Sequence, residues 1–477
     1  MPSLGDSELC FMSARELAQL IRIRRTSARE VMGAFLRQIN RLNPKINAIV
    51  AKLDDVKCLA LADDADRRIA RGEEIGALHG LPFAFKDLDP AVGFPMTRGS
   101  KIFKDFVPVE DSVLVERLKR AGVIAIGKTN VSEFGMGSHT YNDVYGTTLN
   151  PYDLTKSAGG SSGGAGAALA AGLLPIASGS DLGGSLRNPA NFNNIVALRP
   201  SVGLVPSAPT ALPFFGFSVK GPMARSVADV AFLLSVMAGA DPRDPATYPS
   251  EPSIFSKPLD REFKNVRVAW CPDLGGLPLD RRVRSVLETQ QKTFIDLGCI
   301  VENACPDLSG AEEVFLTLRA WNYWHTLGPL LGHHRHEMKP EAVWQIELGK
   351  SLSGADVANA MVRHGELMQR MHVFQEKYEF LLCAVNQVPP FDATITWPRE
   401  IEGVKMENYL SWMKSAYSIS ATFCPAISVP AGFTSDDLPV GIQIVGRYRD
   451  DRGVLQLAHA FERATGFGRR RPEIALA

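Results

Sequence analysis

Two clusters of glycine and serine, joined by a short apolar segment, constrain this chain more than any other feature. The first cluster spans residues 157–164 and the second spans residues 178–185. Glycine loses much conformational entropy on ordering, so such clusters mark backbone that must adopt unusual angles or approach another group closely. Gly/Ser runs are also typical of flexible linkers. Here a helix-length segment and a strand-length segment of apolar residues join the two clusters, which favours ordered, buried turns.

The composition is that of an ordinary globular protein. The chain has 477 residues, of which 45% are hydrophobic and 22% are charged, and this length can bury a large core. Lys+Arg and Asp+Glu each number 52, so the net charge favours neither nucleic acid nor a membrane surface as a partner. No apolar run has membrane-spanning length, and Met1–Cys10 lacks a signal-peptide pattern. We therefore expect a cytoplasmic protein without nucleic-acid or membrane partners.

The cysteines and histidines show no metal-ligand spacing. The seven cysteines are odd in number and scattered, which predicts free, mostly buried thiols in a reducing compartment. They are Cys10, Cys58, Cys271, Cys299, Cys305, Cys383 and Cys424. The histidine-rich run at residues 333–336 lacks an HExxH pattern, and adjacent histidines on a helix point in different directions. We expect no metal site.

Hydrophobic periodicity predicts an α/β fold. Ser13 and Ser27 each begin a capping-box pattern that precedes apolar residues at helical spacing. Apolar strands are predicted at residues 81–85 and 123–128, with an amphipathic helix at residues 111–121 between them. Such alternation of helix and strand is typical of α/β proteins.

The later part of the chain continues this alternation. Further predicted elements are a helix at 56–71, a strand at 196–200, a helix at 226–238, a strand–helix–strand unit over 266–302 with its helix at 282–297, helices within 310–380, a strand at 378–384, a hairpin over 424–445 and a helix at 452–465. Residues 133–153 and 205–222 are predicted as loops because turn-forming glycines and prolines recur in them.

A lysine directly follows the predicted strand at residues 81–85. The ammonium group of Lys86 could extend to solvent, which is the usual behaviour of lysine. In the other interpretation Lys86 is buried, and its pKa falls from about 10.4 toward 7, a shift of roughly 3 units that burial can supply. A buried Lys86 would then be neutral enough to act as a base.

The second glycine cluster has the properties of an oxyanion-binding turn. Residues 182–185 present successive backbone N–H groups around Ser185 with little side-chain bulk. No GxSxG motif is present and no histidine lies in a partner motif, so a Ser-His-Asp triad is not supported. Lysine is the usual substitute base, and Ser161 could pass a proton between Lys86 and Ser185. A phosphate loop is disfavoured because the GxxxxGK[ST] and GxGxxG patterns are both missing.

Together these motifs resemble the amidase signature family of serine hydrolases. The resemblance extends over nearly the whole chain and is weakest at residues 240–420. The matching segments are residues 78–82 leading to 86–87, 128–130 with 133–134, 150–151, 159–164, 181–187, 221–225 and 438–446. The resemblance implies an α/β fold with a central mixed, twisted β-sheet covered by helices on both faces.

The resemblance also implies the domain organisation. We expect one amidase domain over residues 1–477, with the signature core at about residues 75–235. A variable, helix-rich region that faces the substrate is expected at about residues 310–415.

A Ser-cisSer-Lys triad follows from the same resemblance. By motif position, Ser185 would be the nucleophile, Ser161 the bridging serine after a cis Gly160–Ser161 peptide, and Lys86 the base. The oxyanion hole would consist of the amides of Leu182, Gly183, Gly184 and Ser185. Supporting residues would be Ser162, Asp181 and Arg187, and the substrate pocket would include Met136, Phe214 and Phe215. This chemistry requires no cofactor.

The aromatic residues indicate which substrate to expect. The loop at residues 206–217 and the helices around Trp321 and Trp324 could form an apolar, aryl-accepting pocket, although aromatic residues are equally at home in a core. Residues 386–391 and 397–398 are similar to bacterial aryl-acylamidase and urethanase-type members of the family. We therefore expect a small-molecule substrate, in particular an anilide or an aryl carbamate.

Two other functions stay open at this stage. The chain could be the amidotransferase component of a tRNA-charging complex, or a catalytically inactive binding homologue. The sequence does not decide between a monomer and a homodimer.

Overall fold

The computed structural model describes residues 5–476. Its α-helices are α1 (Asp6–Phe11), α2 (Ala14–Arg22), α3 (Ala28–Ile46), α4 (Asp55–Ala70), α5 (Val113–Arg120), α6 (Gly163–Ala170), α7 (Arg187–Phe192), α8 (Val227–Met237), α9 (Arg281–Glu288), α10 (Gln291–Asp296), α11 (Ala311–Leu327), α12 (Leu331–His334), α13 (Pro340–Ser351), α14 (Gly354–Lys377), α15 (Lys414–Ser420), α16 (Asp451–Thr465) and α17 (Glu473–Leu476). Its strands are β1 (Ile49–Val50), β2 (Pro82–Lys86), β3 (Ile124–Thr129), β4 (Leu149–Asn150), β5 (Asp153–Ser157), β6 (Ile176–Asp181), β7 (Val196–Arg199), β8 (Val219–Ala224), β9 (Arg267–Trp270), β10 (Ile300–Asn303), β11 (Phe380–Ala384), β12 (Glu400–Ile401), β13 (Val404–Lys405), β14 (Ala426–Phe433) and β15 (Pro439–Val445).

Eight of these strands form one mixed sheet in the order β10-β9-β11-β15-β14-β7-β8-β6. The three strands β10, β9 and β11 are parallel, and the other neighbours in the sheet are antiparallel. Every residue of β11 and β15 is buried. Burial of all side chains along a strand requires cover on both faces of the sheet, and helices flank this sheet. The predicted α/β class is confirmed.

A smaller sheet positions Lys86 at the edge of the large one. It has the order β1-β3-β2, in which β2 and β3 are parallel. All five residues of β2 are buried. The end of β2 lies beside β6, since the Lys86 amine is within 3.4 Å of the Ser180 carbonyl oxygen. The two sheets therefore meet where Lys86 ends its strand.

The segment between the two glycine clusters is ordered and buried, as predicted. All eight residues of α6 are buried, and β6 follows at Ile176–Asp181. A Cβ atom at Gly164 would lie 2.3 Å from the backbone nitrogen of Asn130. Only glycine fits at this distance. The backbone of α6 can therefore approach the end of β3 closely, and the Gly164 N–H donates to the Asn130 carbonyl oxygen at 3.1 Å.

Three predicted elements differ from the structure, and the smallest difference is the two-residue strand β4 within the loop predicted at residues 133–153. Strand β8 begins within residues 205–222, for which the sequence predicts a loop because glycine and proline disfavour strands. In β8, Gly221 and Pro222 pair with β6, and Met223 pairs with both β6 and β7. Pairing on two sides outweighs the local preference. The helix predicted at residues 282–297 is divided into α9 and α10.

The prediction of seven free thiols is wrong for two cysteines. Cys271 and Cys305 form a disulfide across 34 residues of sequence, with their Cα atoms 5.2 Å apart. Because β9 and β10 are parallel neighbours, the residues that follow them lie together. The other five cysteines are free and buried. No helix within residues 5–476 combines the length and the apolarity that a membrane span needs.

Candidate active site

Lys86 is fully buried among hydroxyl groups. Its Nζ atom lies 2.8 Å from Ser162 Oγ, 2.9 Å from Ser161 Oγ and 3.0 Å from Ser180 Oγ. In the described part of the chain, no carboxylate forms a salt bridge with it. Extension of this side chain to solvent, one of the two sequence-based interpretations, is excluded.

The surroundings of Lys86 favour the neutral amine. Burial lowers the pKa of Lys86 to about 7, because a low-dielectric environment disfavours the charged form. The nearby Lys220 ammonium lowers this pKa further, and the more weakly acting carboxylates of Asp89 and Asp181 oppose both effects. A substantial fraction of Lys86 is therefore unprotonated near neutral pH.

Ser161 and Ser185 line the same cavity, which has a volume of about 320 Å³. The Gly160–Ser161 peptide is cis, as the family resemblance implies. Ser185 is 8% exposed, and its carbonyl oxygen accepts the Ser162 N–H at 3.3 Å. Within residues 5–476 no hydrogen bond joins the Ser161 and Ser185 hydroxyls. Catalytic hydrogen bonds are often formed only with substrate bound, so the missing bond does not exclude proton transfer between the two serines.

The turn at residues 182–185 offers backbone N–H groups to the cavity. Gly184 has a φ of +117°, and its N–H donates to Asp181 Oδ1 at 2.7 Å. This donor is therefore already used, although the family resemblance places it in the oxyanion hole. The amides of Leu182, Gly183 and Ser185 make no hydrogen bond to other described residues, and they are the candidate donors to an oxyanion.

Asp181 holds this turn in place through a buried ion cluster. Its carboxylate accepts the Arg187 Nε–H at 3.0 Å and an Arg199 Nη1–H at 3.2 Å, and none of the three side chains is exposed. Burial alone raises the pKa of Asp181, but the two guanidinium groups outweigh it and hold the pKa well below its usual range. The carboxylate therefore stays ionised and fixes the amides that surround Ser185.

The predicted pocket residues lie in three different environments. Phe215 lines the cavity of Ser185. Phe214 is 78% exposed and lies outside the residues that line this cavity, because neighbouring side chains in the turn point in different directions. Met136 belongs to an apolar cluster with Phe134 and Tyr323, and it lines a small neighbouring cavity beside Tyr409. Phe214 and Met136 are therefore not among the residues that line the cavity of Ser185, and a role for them in substrate binding stays a prediction.

Four residues of the site are not among those that the sequence singles out as functional. They are Ser180, Asp89, Lys220 and Arg98. The Lys220 amine is paired with the buried carboxylate of Asp89, and Lys220 lies opposite Ser180 in the pairing of β6 with β8. The sequence does not predict this contact, because it predicts a loop where the structure has β8. Asp89 does offer a signal, since it lies three residues after Lys86.

Comparison with known proteins identifies the family. The family model named Amidase matches residues 30–455. An acylamidase of Rhodococcus erythropolis is 34% identical over 483 residues, which cover 99% of each chain. A glutamyl-tRNA(Gln) amidotransferase subunit from a Cyanothece species is 32% identical, and the alignment covers 97% of this chain and 100% of the other.

A solved structure agrees with these matches. It is a bacterial aryl acylamidase of the amidase signature family, with a TM-score of 0.90 and 28% identity, and the alignment covers 97% of this chain and 99% of the other. The family model covers well over half of the chain. This protein therefore belongs to the amidase signature family of amide-hydrolysing enzymes.

Proposed function

We propose that this enzyme cleaves the C–N bond of aryl amides and aryl carbamates through an acyl-enzyme on Ser185. The observation that carries the proposal is the buried Lys86 amine. Its pKa is about 7, and it lies 2.9 Å from the Ser161 hydroxyl on the cavity that Ser185 also lines.

In the acylation step, Ser185 Oγ attacks the substrate carbonyl carbon. The Ser185 proton passes to Ser161 Oγ while the Ser161 proton passes to the neutral Lys86 amine. A neutral amine has two N–H donors and one lone pair, so the Ser161 hydroxyl donates to that lone pair while the amine N–H groups face Ser162 and Ser180. The amides of Leu182, Gly183 and Ser185 stabilise the developing oxyanion.

The same groups reverse the transfer. Lys86 returns its proton through Ser161 to the departing amine, and the C–N bond breaks to leave an ester on Ser185. Water then attacks this ester with Ser161 and Lys86 again taking the proton, which releases the acid and restores the free Ser185 hydroxyl. For a carbamate, the C–N bond breaks in the same way and leaves a carbonate ester on Ser185; hydrolysis of that ester releases a carbonic acid half-ester, which breaks down in solution to CO₂ and the alcohol or phenol.

The aryl preference is supported by the cavity wall. Phe134, Phe215 and Tyr323 line the cavity that contains Ser185. Phe215 continues into an aromatic cluster, with its ring centroid 5.5 Å from that of Phe217 and 6.3 Å from that of Trp321. Such surfaces pack well against an aryl ring. The similarity to an acylamidase and to an aryl acylamidase points to the same substrates.

The decisive experiment is a hydrolysis panel on the purified full-length chain. We expect turnover of 4-nitroacetanilide and of phenyl N-phenylcarbamate, and weaker turnover of hexanamide. Ser185→Ala should remove activity on all of them and abolish labelling by a fluorophosphonate probe. Turnover of the aliphatic amide alone would overturn the aryl preference. Full activity of Ser185→Ala would overturn the assignment of the nucleophile.

A glutamine amidotransferase component is the second candidate function. The 32% identity to a glutamyl-tRNA(Gln) amidotransferase subunit over nearly the whole chain favours it. Release of ammonia from glutamine, with no turnover of anilides, would support this candidate. An inactive binding homologue is the third, and it requires that the fluorophosphonate probe leaves Ser185 unlabelled.

A further inference from the structure

The catalytic cavity contains an arginine whose guanidinium group has no hydrogen-bond or salt-bridge partner among the described residues. Arg98 lines the cavity together with Ser161 and Ser185. Within residues 5–476, no carboxylate or carbonyl oxygen accepts a hydrogen bond from its side chain. A guanidinium group has five N–H donors in a planar fork and stays charged. Buried or half-buried arginine usually satisfies these donors with carboxylates or carbonyl groups.

The Arg98 side chain is nevertheless held in place. Its Cζ atom lies 4.7 Å from the centre of the Phe103 ring, a cation–π contact. Its backbone is fixed on both sides, since the Arg98 N–H donates to the Asp87 carbonyl oxygen and the Arg98 carbonyl accepts the Phe134 N–H at 2.8 Å. The donors of the side chain are therefore presented to the cavity from a rigid support.

Arg98 also adopts a costly backbone conformation. Its φ is +55°, a region that non-glycine residues rarely occupy because of the Cβ atom. A non-glycine residue that persists in this region is typical of functional sites. Glycine follows at residue 99 with a φ of +65°, so the tight turn aims the Arg98 side chain.

The other charges at the cavity are already paired. Lys220 donates to Asp89. The oxygens of Asp244 accept the backbone N–H groups of Ser207 and Ala246 at 2.7 and 3.1 Å. The buried Asp87 carboxylate acts on Arg98 electrostatically, but Arg98 is the charged group that lines this cavity without a hydrogen-bond or salt-bridge partner among the described residues, and an anionic group on a bound molecule would provide one.

We propose that Arg98 is a specificity-determining residue that binds a carboxylate on the substrate, away from the scissile carbonyl. The preferred substrates are therefore anionic aryl amides, in which the acyl part or the aromatic amine carries a carboxylate. A carboxylate can accept two parallel N–H bonds from the guanidinium fork, which gives geometric selectivity as well as affinity. This inference rests on the proposed amide hydrolysis at Ser185.

Two matched substrate pairs test the proposal, one for each side of the scissile bond. The first is glutaryl-4-nitroanilide against butyryl-4-nitroanilide, and the second is 4-acetamidobenzoate against 4-acetamidotoluene. We expect Arg98→Met to lower kcat/KM for the carboxylate member of at least one pair by about 10- to 100-fold, the range of a charge-assisted hydrogen bond. The neutral members should change by less than about threefold.

The control variant is Lys104→Met, which makes the same change of net charge at an exposed position outside the cavity. It should leave all four substrates unaffected. Arg98→Lys should recover part of the lost discrimination, since it keeps the charge but not the fork. Equal losses on the anionic and neutral members of both pairs, or no loss on any member, would overturn the proposal.

A binding measurement separates failure of this inference from failure of the proposed function. In the Ser185→Ala background, calorimetry compares glutaryl-4-nitroanilide with butyryl-4-nitroanilide, with and without Arg98→Met. Tighter binding of the anionic member that depends on Arg98 supports the site even if wild-type enzyme turns over none of the four compounds, which would refute only the proposed hydrolysis. Equal binding of the two members of this pair, and also of 4-acetamidobenzoate and 4-acetamidotoluene in the same background, would refute the anion site.

Discussion

Lys86 and Asp181 lie close together in the core of this enzyme, and both are fully buried, yet their surroundings are opposite in kind. Lys86 has three hydroxyl groups around its amine and no salt bridge within residues 5–476. Asp181 has two guanidinium groups in direct contact. Burial disfavours the charged form of both groups. The partners decide the outcome, so that Lys86 can lose its charge near neutral pH while Asp181 keeps its own.

In the proposed mechanism, this contrast separates a reactive group, Lys86, from a structural one, Asp181. A base must exist in its unprotonated form at the working pH, and a counterion for Lys86 would prevent that. The turn around Ser185 needs a permanent negative charge to hold the Gly184 amide and the two arginines. Ser180, whose hydroxyl contacts Lys86, directly precedes Asp181 in β6, so the end of one strand serves both groups.

The largest expected effect comes from removing the reactive member. Lys86→Met should lower kcat/KM on 4-nitroacetanilide by about 100- to 10,000-fold, the contribution typical of a general base. Steady-state kinetics at pH 8 measures it, with Lys104→Met as the control. A loss of less than about tenfold would show that another group takes the Ser185 proton.

Lys86→Met should lower activity but raise the free energy of unfolding. The pKa of Lys86 is about 7 in the folded protein against 10.5 as the reference value, so between these values the unfolded chain binds more protons and stability rises with pH. The destabilisation that Lys86 causes is roughly 4 kcal/mol at pH 7 and falls to about 2 kcal/mol at pH 9. Urea unfolding of wild type and Lys86→Met at both pH values should show that the free energy of unfolding rises more steeply with pH in wild type than in the variant. The hydroxyl groups that lose their partner in the variant change its free energy of unfolding equally at pH 7 and pH 9, so they do not affect the comparison of the two pH values.

The next largest expected effect is the loss of stability when Asp181 loses one of its two arginine partners. Arg187→Met leaves the Asp181 carboxylate with Arg199 alone, and loss of one partner from a buried pair costs about 3–5 kcal/mol. Urea unfolding measures this loss, and Arg463→Met, at an exposed ion pair with Asp260, is the control with an expected effect below about 1 kcal/mol. Similar effects for the two variants would contradict a structural role for the cluster.

The smallest expected effect tests the charges around Lys86. In the proposed mechanism neutral Lys86 is the active form, so kcat/KM should rise with pH through the Lys86 pKa of about 7 and be lost as the pH falls. Lys220→Met removes a positive charge and leaves Asp89 without its partner, and both changes raise the pKa of Lys86. The acidic limb of the pH profile should move up by about one unit.

Lys220→Arg keeps the charge and should leave that limb in place. A limb that does not move in Lys220→Met, or moves down, would show that these charges do not reach Lys86. Because the readout is the position of the limb, a general loss of activity from disturbed packing does not imitate it.

The sequence predicts the elements of this fold where local chemistry decides them. Ser27 and Glu30 form the full capping box, and Ser13 accepts the Glu16 N–H, as their spacing indicates. The hairpin of β14 and β15 and the buried strand before Lys86 follow from apolar runs between turn residues. Strand β8 and the Cys271–Cys305 disulfide depend on pairing between distant segments, which no local pattern encodes.

The site residues also fall into two groups, those that a local sequence pattern indicates and those that depend on distant segments. The motif residues Lys86, Ser161 and Ser185 stand out because glycine clusters and a strand-ending lysine are unusual in themselves, and the structure brings all three to one region. Their catalytic roles stay a prediction that the variants above test. Arg98 and Lys220 carry no such signal, since their setting is defined by residues far away in sequence.

Helix α6 has a consequence for how such an enzyme can diverge. It consists of glycine, alanine and one leucine, and even a methyl group at Gly164 would collide with the backbone at Asn130. A larger residue at Gly164 would therefore disturb the contact between α6 and the end of β3, close to Ser161. Much of the cavity wall is built from loop residues 202–218, where substitutions are tolerated far better. A lineage can thus acquire new substrates through that wall while the proton path beneath it is inherited unchanged.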